Sequence, residues 1–594
     1  MSFNNKKYKS YIRWLGHHLS KHKLLILGVL FGIIVTTLTR TLVPLIIGNI
    51  IDFALISLDY PYLVLMLIIG LALLLIRNFM DYITMMIGHN LGLKVELNMR
   101  QEFFDTIQLK PLKYHDNAQA GDLQALATND VRIVNTMISH GSFYLYPFFQ
   151  VFITILLLIG LVDLRLALIS LPLILLYIYS ILKYRKKITP YAAIRLRKHS
   201  DLAVVLQDSI TGASVVRSFA AEEFEREKFR NAVNAFRDNS IGEFLVQSKF
   251  YSLLILYITI GTTFFVSIVF IYQNTLSVGV LVSTNLLLIT LIDPTNLIWW
   301  ATNDMMSGFA ACSRLYTALF REYNEKRKNI ITRWPENFNG KIEFKNVTFT
   351  YGNGEKGDPS VLKNLTFTIE PNQRTALVGP TGCGKTTIAK LLLLLYEPQE
   401  GIILLDGINI QDYPIEELRK HIGYVEQDIY LFSRTIYENI SFGKPNATKE
   451  EVINVANLAQ VNEFVQNFPD KYDTIVGERG TRLSGGEKQR VAIARAFLTD
   501  PKILILDDSV SAVDSETEEK IVRATENILK NRTTIIMTHR LHAIRTSDNI
   551  IMLKHGKIAA IGRHEALIQS SEDYRRIFGK HMSLPELKNE KTRT

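Results

Sequence analysis

The sequence predicts a multi-domain protein: an all-α polytopic membrane domain, with six transmembrane helices that extend far into the cytosol, followed by an α/β domain. Three observations carry this reading. The 594 residues are 48% hydrophobic, yet the second half is full of ordinary charged segments, so the apolar excess is concentrated before about residue 320. That excess falls in six stretches, each able to supply the roughly 20 apolar residues that cross a hydrocarbon core about 30 Å thick. Behind residue 341, strand-like and helix-like segments alternate, the pattern of a layered α/β fold.

Within a membrane domain of residues 1–325, the spans are expected near 24–46, 62–84, 143–162, 165–184, 252–272 and 278–300. The run from Phe143 to Tyr179 is too long for one crossing, and Asp163 to Arg165 divides it into two spans with a tight turn. The linkers after spans one, three and five are short and poor in cations. Those after spans two and four, Asn90 to about Ile138 and Lys186 to about Glu243, run for tens of polar residues with helical patterning and are read as helices continuing into the cytosol. Tyr8 to Leu19 reads as an amphipathic helix in the membrane interface. No signal peptide is expected, since the first apolar run is too long and lacks a small-residue cleavage site.

The net charge of +10 raises nucleic-acid binding as a possibility, but the cations cluster at the ends of apolar runs. Lys6, Lys7, Lys9, Arg13, Lys21 and Lys23 precede the first, and Lys183, Arg185, Lys186 and Lys187 follow the fourth. That is the positive-inside pattern of a multi-pass protein of the cytoplasmic membrane, and no nucleic-acid partner is expected. The two cysteines, Cys312 and Cys383, make no disulfide framework.

A linker at 326–340 leads to a soluble domain at 341–580 and a charged tail at 581–594. Strands are expected at Lys341 to Thr350, Leu365 to Ile369, Thr375 to Val378, Ile503 to Leu506, Thr533 to Met537 and Asn549 to Leu553. Between the third of these and a helix lies Gly379-Pro-Thr381-Gly382-Cys383-Gly384-Lys385-Thr386, followed by Thr387. Strand, glycine-rich turn and helix in that order make a P-loop, whose backbone N–H groups close around phosphates. Lys385 reaches the β- and γ-phosphates and Thr386 ligates Mg²⁺ in this reading, with the helix N-terminus adding a positive field. ATP and Mg²⁺ are therefore the expected cofactors. Downstream, Ile503 to Leu506 ends in Asp507 and Asp508, and the first fits the carboxylate that holds the metal.

The run Leu483-Ser484-Gly485-Gly486-Glu487-Lys-Gln-Arg490 resembles the signature motif of the ABC transporter family. The resemblance extends over nearly the whole chain. Tyr351 sits where that family stacks adenine, Gln427 at its Q-loop, Ser511 to Asp514 at its D-loop, and His539 at its switch histidine. The resemblance implies an exporter-type half-transporter, an ATP hydrolase coupled to transport, with Asp508, His539 and Gln427 as catalytic residues and Thr386, Gln427 and Asp507 at the metal. It also implies pairing with a second half-transporter, because each ATP lies between one domain's P-loop and the other's Ser484 to Glu487 region. Tyr114 to Asp130 and Gln207 to Glu223 resemble the coupling segments.

One residue departs from the family pattern. After the metal-binding aspartate the family normally has glutamate as general base, and here it is Asp508. The carboxylate is a methylene shorter, and a misplacement of about 1 Å is enough to cost around a hundredfold. The chain's own site is therefore expected to bind ATP but hydrolyse it slowly, as in the degenerate-site subunit of heterodimeric bacterial multidrug exporters; a homodimer is the alternative.

Arg40, Arg77, Asp81 and Asp293 fall inside the expected spans, where ionisable groups are costly unless they face a cavity or each other. They are the candidates for lining a pathway. The expected function is ATP-driven export of amphipathic drugs or lipids. The alternatives are a regulatory subunit that only binds ATP, or a homodimeric lipid or peptide exporter; a peptide exporter with its own leader protease is not expected, because few residues precede the first span.

Overall fold

In a computed structural model, residues 10–55, 60–248, 251–320, 334–335, 337–352, 360–507 and 531–578 are described. Asp508, the D-loop at 511–514, most of the linker and the charged tail lie outside them. The chain forms two compact units: Met1–Lys110 with Ala118–Glu322, and Pro111–Asn117 with Tyr323–Thr594.

Among the described residues of the first unit, six helical stretches are long and apolar enough to cross a membrane: Lys23–Phe53, Tyr60–Gln108, Ala120–Val162, Leu164–Ile188, Glu222–Tyr272 and Val278–Leu297. After the second and fourth spans the helices continue well past the apolar stretch before short turns break them. The second span runs unbroken for 49 residues, Tyr60–Gln108, and the fourth belongs to a 48-residue helix, Leu164–Thr211. The sixth is broken. Its helix stops at Ile289 and restarts at Ile292, because Pro294 has no N–H to give and its ring clashes with the carbonyl four residues back.

The N-terminal helix α1 (Tyr11–Ser20) starts at Ser10, whose hydroxyl accepts from the Arg13 N–H. Its apolar face differs from expectation. Trp14 is fully buried among Tyr316 and Phe320 of the same unit, and its indole N–H donates to Glu102 at 3.2 Å. An amphipathic face fits lipid or protein equally well by pattern, and here a protein core takes Trp14 and Leu15.

Among the described residues, the second unit holds two sheets. The smaller has the order β2-β1-β4-β5, all antiparallel: β1 (Ile342–Phe349), β2 (Leu362–Ile369), β4 (Glu400–Leu405) and β5 (Ile408–Asn409). The larger has the order β10-β9-β3-β8-β7-β6, with β3 (Arg374–Val378), β6 (Ile422–Val425), β7 (Ile503–Asp507), β8 (Thr533–Met537), β9 (Asn549–Lys554) and β10 (Lys557–Gly562). Its strands are parallel except β10. The parallel strands are largely apolar and buried on both faces, as strands covered by other layers must be. Among the described residues, four strands escape the sequence reading: β4, β5, β6 and the edge strand β10.

Pro111–Asn117 folds with the second unit although membrane helices flank it in sequence. Leu112 packs against the core built on β1, β2 and β3, and the Tyr396 hydroxyl donates to Asp116.

Candidate nucleotide site

The parallel register decides which side chains meet. Asp507 lies opposite Met537, Met537 opposite Leu377, and Val425 opposite Leu506, so the carboxyl ends of β3, β6, β7 and β8 lie side by side. Ligands of open α/β sheets bind beyond such ends. A cavity of about 400 Å³ opens there, lined by residues at or just beyond the ends of the four strands together with Tyr351 and Val361, which flank β1 and β2 of the smaller sheet.

The glycine-rich turn leaves β3 and enters helix α2 (Lys385–Leu392). Gly384, at φ +106°, has a backbone that L-residues rarely adopt, and a Cβ there would meet Leu362 Cδ2 at 2.4 Å. At Gly379 a Cβ would strike the Leu553 carbonyl oxygen at 2.2 Å. These two glycines let the turn lie flat against the sheet ends. Lys385 Nζ donates to the Gly379 carbonyl at 2.8 Å, bringing the cation over the turn. The Thr386 hydroxyl donates to Asp507 Oδ2 at 2.7 Å, and Asp507 is buried. At the other wall the Tyr351 hydroxyl is 3.1 Å from Thr387 Oγ1, and Lys390 Nζ sits 5.6 Å from the Tyr351 ring centre.

Thr381, Gly382, Gly384, Lys385, Thr386, Thr387, Tyr351, Gln427, Asp507 and His539 all line this cavity, so residues from positions 351 to 539 converge on one place. Cys383 is buried behind the turn; burial pushes its thiol pKa up, against the opposing pull of Lys385. Ser484 to Glu487 do not line the cavity. They begin helix α3 (Gly485–Phe497), where the Ser484 hydroxyl and the Glu487 carboxylate form a reciprocal cap, the Ser484 N–H reaching Glu487 at 2.7 Å. Glu487 is thus engaged in holding the helix start, while the first-turn amides of Gly485 and Gly486 have no partner within their own helix.

Sequence reasoning missed the layer behind Gln427. Glu426 is pushed up in pKa chiefly by burial, with Lys390 and Arg495 opposing. Arg495 donates to the carbonyls of Asn439 and Tyr430, at 2.8 and 3.0 Å, and to the Asn439 side chain at 3.0 Å. The available signal was an arginine inside the otherwise apolar run of α3, Val491 to Phe497.

Comparison with known proteins agrees with this geometry. Residues 362–511 match the model of the ABC transporter family and residues 25–295 that of the ABC transporter transmembrane region. The chain is 32% identical over 511 residues to the "Putative multidrug export ATP-binding/permease protein YgaD" of Bacillus subtilis, covering 85% of this chain and 87% of that one. It is 30% identical over 590 residues to the ATP-dependent lipid A-core flippase of Chromobacterium violaceum, covering 98% and 99%. The structure of a bacterial Atm1-family ABC exporter with ATP bound superposes with a TM-score of 0.80 at 25% identity, covering 95% of this chain and 99% of that chain. ABC exporters work as dimers in a lipid bilayer. With its membrane and ATP-binding domains fused, the chain belongs to the ABC transporter family, as an exporter that hydrolyses ATP to drive transport across the cytoplasmic membrane.

Proposed function

We propose that this chain exports amphipathic drugs or lipids as one half of a heterodimer, and that its own ATP site turns over slowly. The observation that carries the reading is chemical: a P-loop cavity lined by Tyr351, Thr381, Lys385, Thr386, Gln427, Asp507 and His539, paired with aspartate at 508 where the family has glutamate. In this reading Tyr351 stacks the adenine, and the amides of Gly379 to Gly384 with Lys385 hold the phosphates. The Thr386 hydroxyl, the Asp507 carboxylate and the Gln427 amide are hard oxygen donors on one cavity, the set that suits Mg²⁺ alongside phosphate oxygens. The ion when bound neutralises phosphate charge. Asp508 polarises the attacking water, and His539 hydrogen-bonds the terminal phosphate.

The cap at Ser484 to Glu487 presents its first-turn amides as a second anion site. It completes the cavity of the partner, and the partner's equivalent completes this one. An intact signature with a shortened base is what a helper subunit needs, since it supports turnover on a glutamate-bearing neighbour.

The test is steady-state Mg-ATPase of the chain purified alone in lipid, compared with Asp508→Glu and with any partner that copurifies. Low activity alone, raised by Asp508→Glu or by the partner, supports the reading. Brisk hydrolysis by the lone chain makes it a homodimer in which aspartate suffices.

A further inference from the structure

The ionisable groups named inside the spans are matched, Arg40 with Asp293 and Arg77 with Asp81. At the cytosolic edge of the same unit the balance is different. The first helical stretch, Lys23–Phe53, has 31 residues, about 45 Å at 1.5 Å per residue, against roughly 40–45 Å for a bilayer with its headgroups. With Phe53 at one surface, Lys23 reaches the other at headgroup level. Lys21 and His22 make the turn there, between α1 and the first span.

The long second helix, Tyr60–Gln108, brings another cation to this turn. The Asn98 amide donates to His22 Nε2 at 3.1 Å, and Lys94 stands one helical turn from Asn98 on the same face. The crowding of positive charge registers at His22, whose pKa is held below the ordinary 6.5 by burial first and then by Lys94, Lys21 and His18. The neighbouring carboxylates are already engaged. Glu96 pairs with Arg100 and accepts from the Asn135 amide at 2.5 Å. Glu102 accepts from the Trp14 indole at 3.2 Å and meets His18 Nε2 at 2.8 Å. Among the described residues, Lys21, Lys23 and Lys94 have no carboxylate within ion-pair distance, and all three are exposed.

Beside these cations lie exposed leucines. Leu24, at 85% exposure, and Leu27 follow Lys23 on the first span, and Leu93 and Leu97 flank Lys94 on the second helix. A phospholipid fits both parts of this surface, its phosphate on the ammonium groups and its acyl chains over the leucines. A nucleic acid or an acidic protein would meet the lysines and leave the leucines in water.

We propose that the turn after α1 and the adjoining face of the second helix form a binding site for the headgroup of an anionic phospholipid, with Lys21, Lys23 and Lys94 contacting the phosphate. Asn98 and His22 hold the two elements in register beneath it. Three cations without counter-charge favour a lipid of net negative charge over a zwitterion. The site is separate from the transported cargo and does not rest on the export reading.

The experiment titrates the detergent-purified full chain with dioleoyl phosphatidylglycerol, or with dioleoyl phosphatidylcholine as the reference, and reads the first lipid-binding event by native mass spectrometry. Phosphatidylglycerol is expected to bind more tightly. Changing Lys21, Lys23 and Lys94 together to glutamine is expected to weaken it by about hundredfold, from about fivefold per cation, and changing them to arginine to retain it. The comparison variant, Lys183→Gln with Lys186→Gln and Lys187→Gln, removes three exposed cations from the end of the fourth span and should leave the event in place. Thermal unfolding in nanodiscs gives a second readout: phosphatidylglycerol should raise the melting temperature of the wild type over that in phosphatidylcholine, and not that of the glutamine triple variant. Equal affinity for the two lipids, wild-type affinity in that variant, or an equal loss in the comparison variant overturns the site, the last by showing attraction to net charge alone. Full displacement by glycerophosphoglycerol, the same headgroup without chains, would make it a site for soluble phosphate esters and overturn the lipid assignment.

Discussion

Gly384→Ala is the sharpest perturbation of the nucleotide site. Two costs act on it. The backbone at φ +106° is one that a residue with a Cβ resists by about 1–2 kcal/mol. The new methyl also falls 2.4 Å from Leu362 Cδ2, in the fully buried core under β2, and overpacking of this kind costs about 1–3 kcal/mol. Together they amount to about 2–5 kcal/mol, more than the turn can absorb without changing path, and Lys385 and Thr386 follow it directly. The two costs separate by design, because Leu362→Val deletes the offending methyl. Gly384→Ala in that background should recover the overpacking part and keep the backbone part. The assay is calorimetric titration of full-length protein in nanodiscs with ATP and Mg²⁺, run beside thermal unfolding for all four combinations. Wild-type affinity and melting temperature in Gly384→Ala would refute the argument, and full recovery in the double variant would show that backbone strain contributes nothing.

Further outcomes follow from other contacts. Thr386→Val keeps the shape but leaves the buried Asp507 carboxylate without its 2.7 Å donor; a loss of about 1–3 kcal/mol and a raised Mg²⁺ requirement are expected, with Thr386→Ser restoring both in a Mg²⁺ titration of ATPase activity. Trp14→Ala should destabilise the membrane unit by about 3–5 kcal/mol, with Trp14→Phe retaining most of the packing, read by thermal unfolding in nanodiscs. His564, buried with its ring nitrogen 2.8 Å from the Tyr574 hydroxyl, is held below the ordinary 6.5 by burial and by Arg545 beside it. The unfolded chain then binds more protons, so this contribution is complete above pH 6.5 and declines as pH falls through that value. The slope is no steeper than about 1.4 kcal/mol per pH unit for one proton, and His564→Gln should flatten it in unfolding measured from pH 7.5 to 5.5.

The membrane half was legible because its signals are long. Twenty apolar residues, or a helical pattern persisting from Asn90 onward, survive any local ambiguity. The nucleotide cavity was legible because glycine spacing, Lys385 and Thr386 encode backbone geometry directly. Short strands were not. β6, Ile-Gly-Tyr-Val, has four residues, the second a glycine, and is defined by pairing with β7 across about 80 residues of intervening chain; β10 is an exposed edge whose Ala559 and Ala560 carry little strand preference. The destination of the α1 face was equally invisible, since periodicity says which side is apolar and not what covers it. The pairing of Arg40 with Asp293 and of Arg77 with Asp81 also had to come from coordinates. The four ionisable residues were named from sequence, but which of them meet depends on helix rotation.

The seven residues Pro111–Asn117 carry a practical consequence for dissecting the protein. A soluble fragment begun after the last span, near residue 334, contains the whole of both sheets yet omits the segment that covers part of its own apolar surface. It would display bare hydrocarbon where Leu112 sits and a tyrosine, Tyr396, deprived of its acceptor Asp116. Such a fragment should self-associate, and a synthetic peptide spanning residues 108–120 should disperse it.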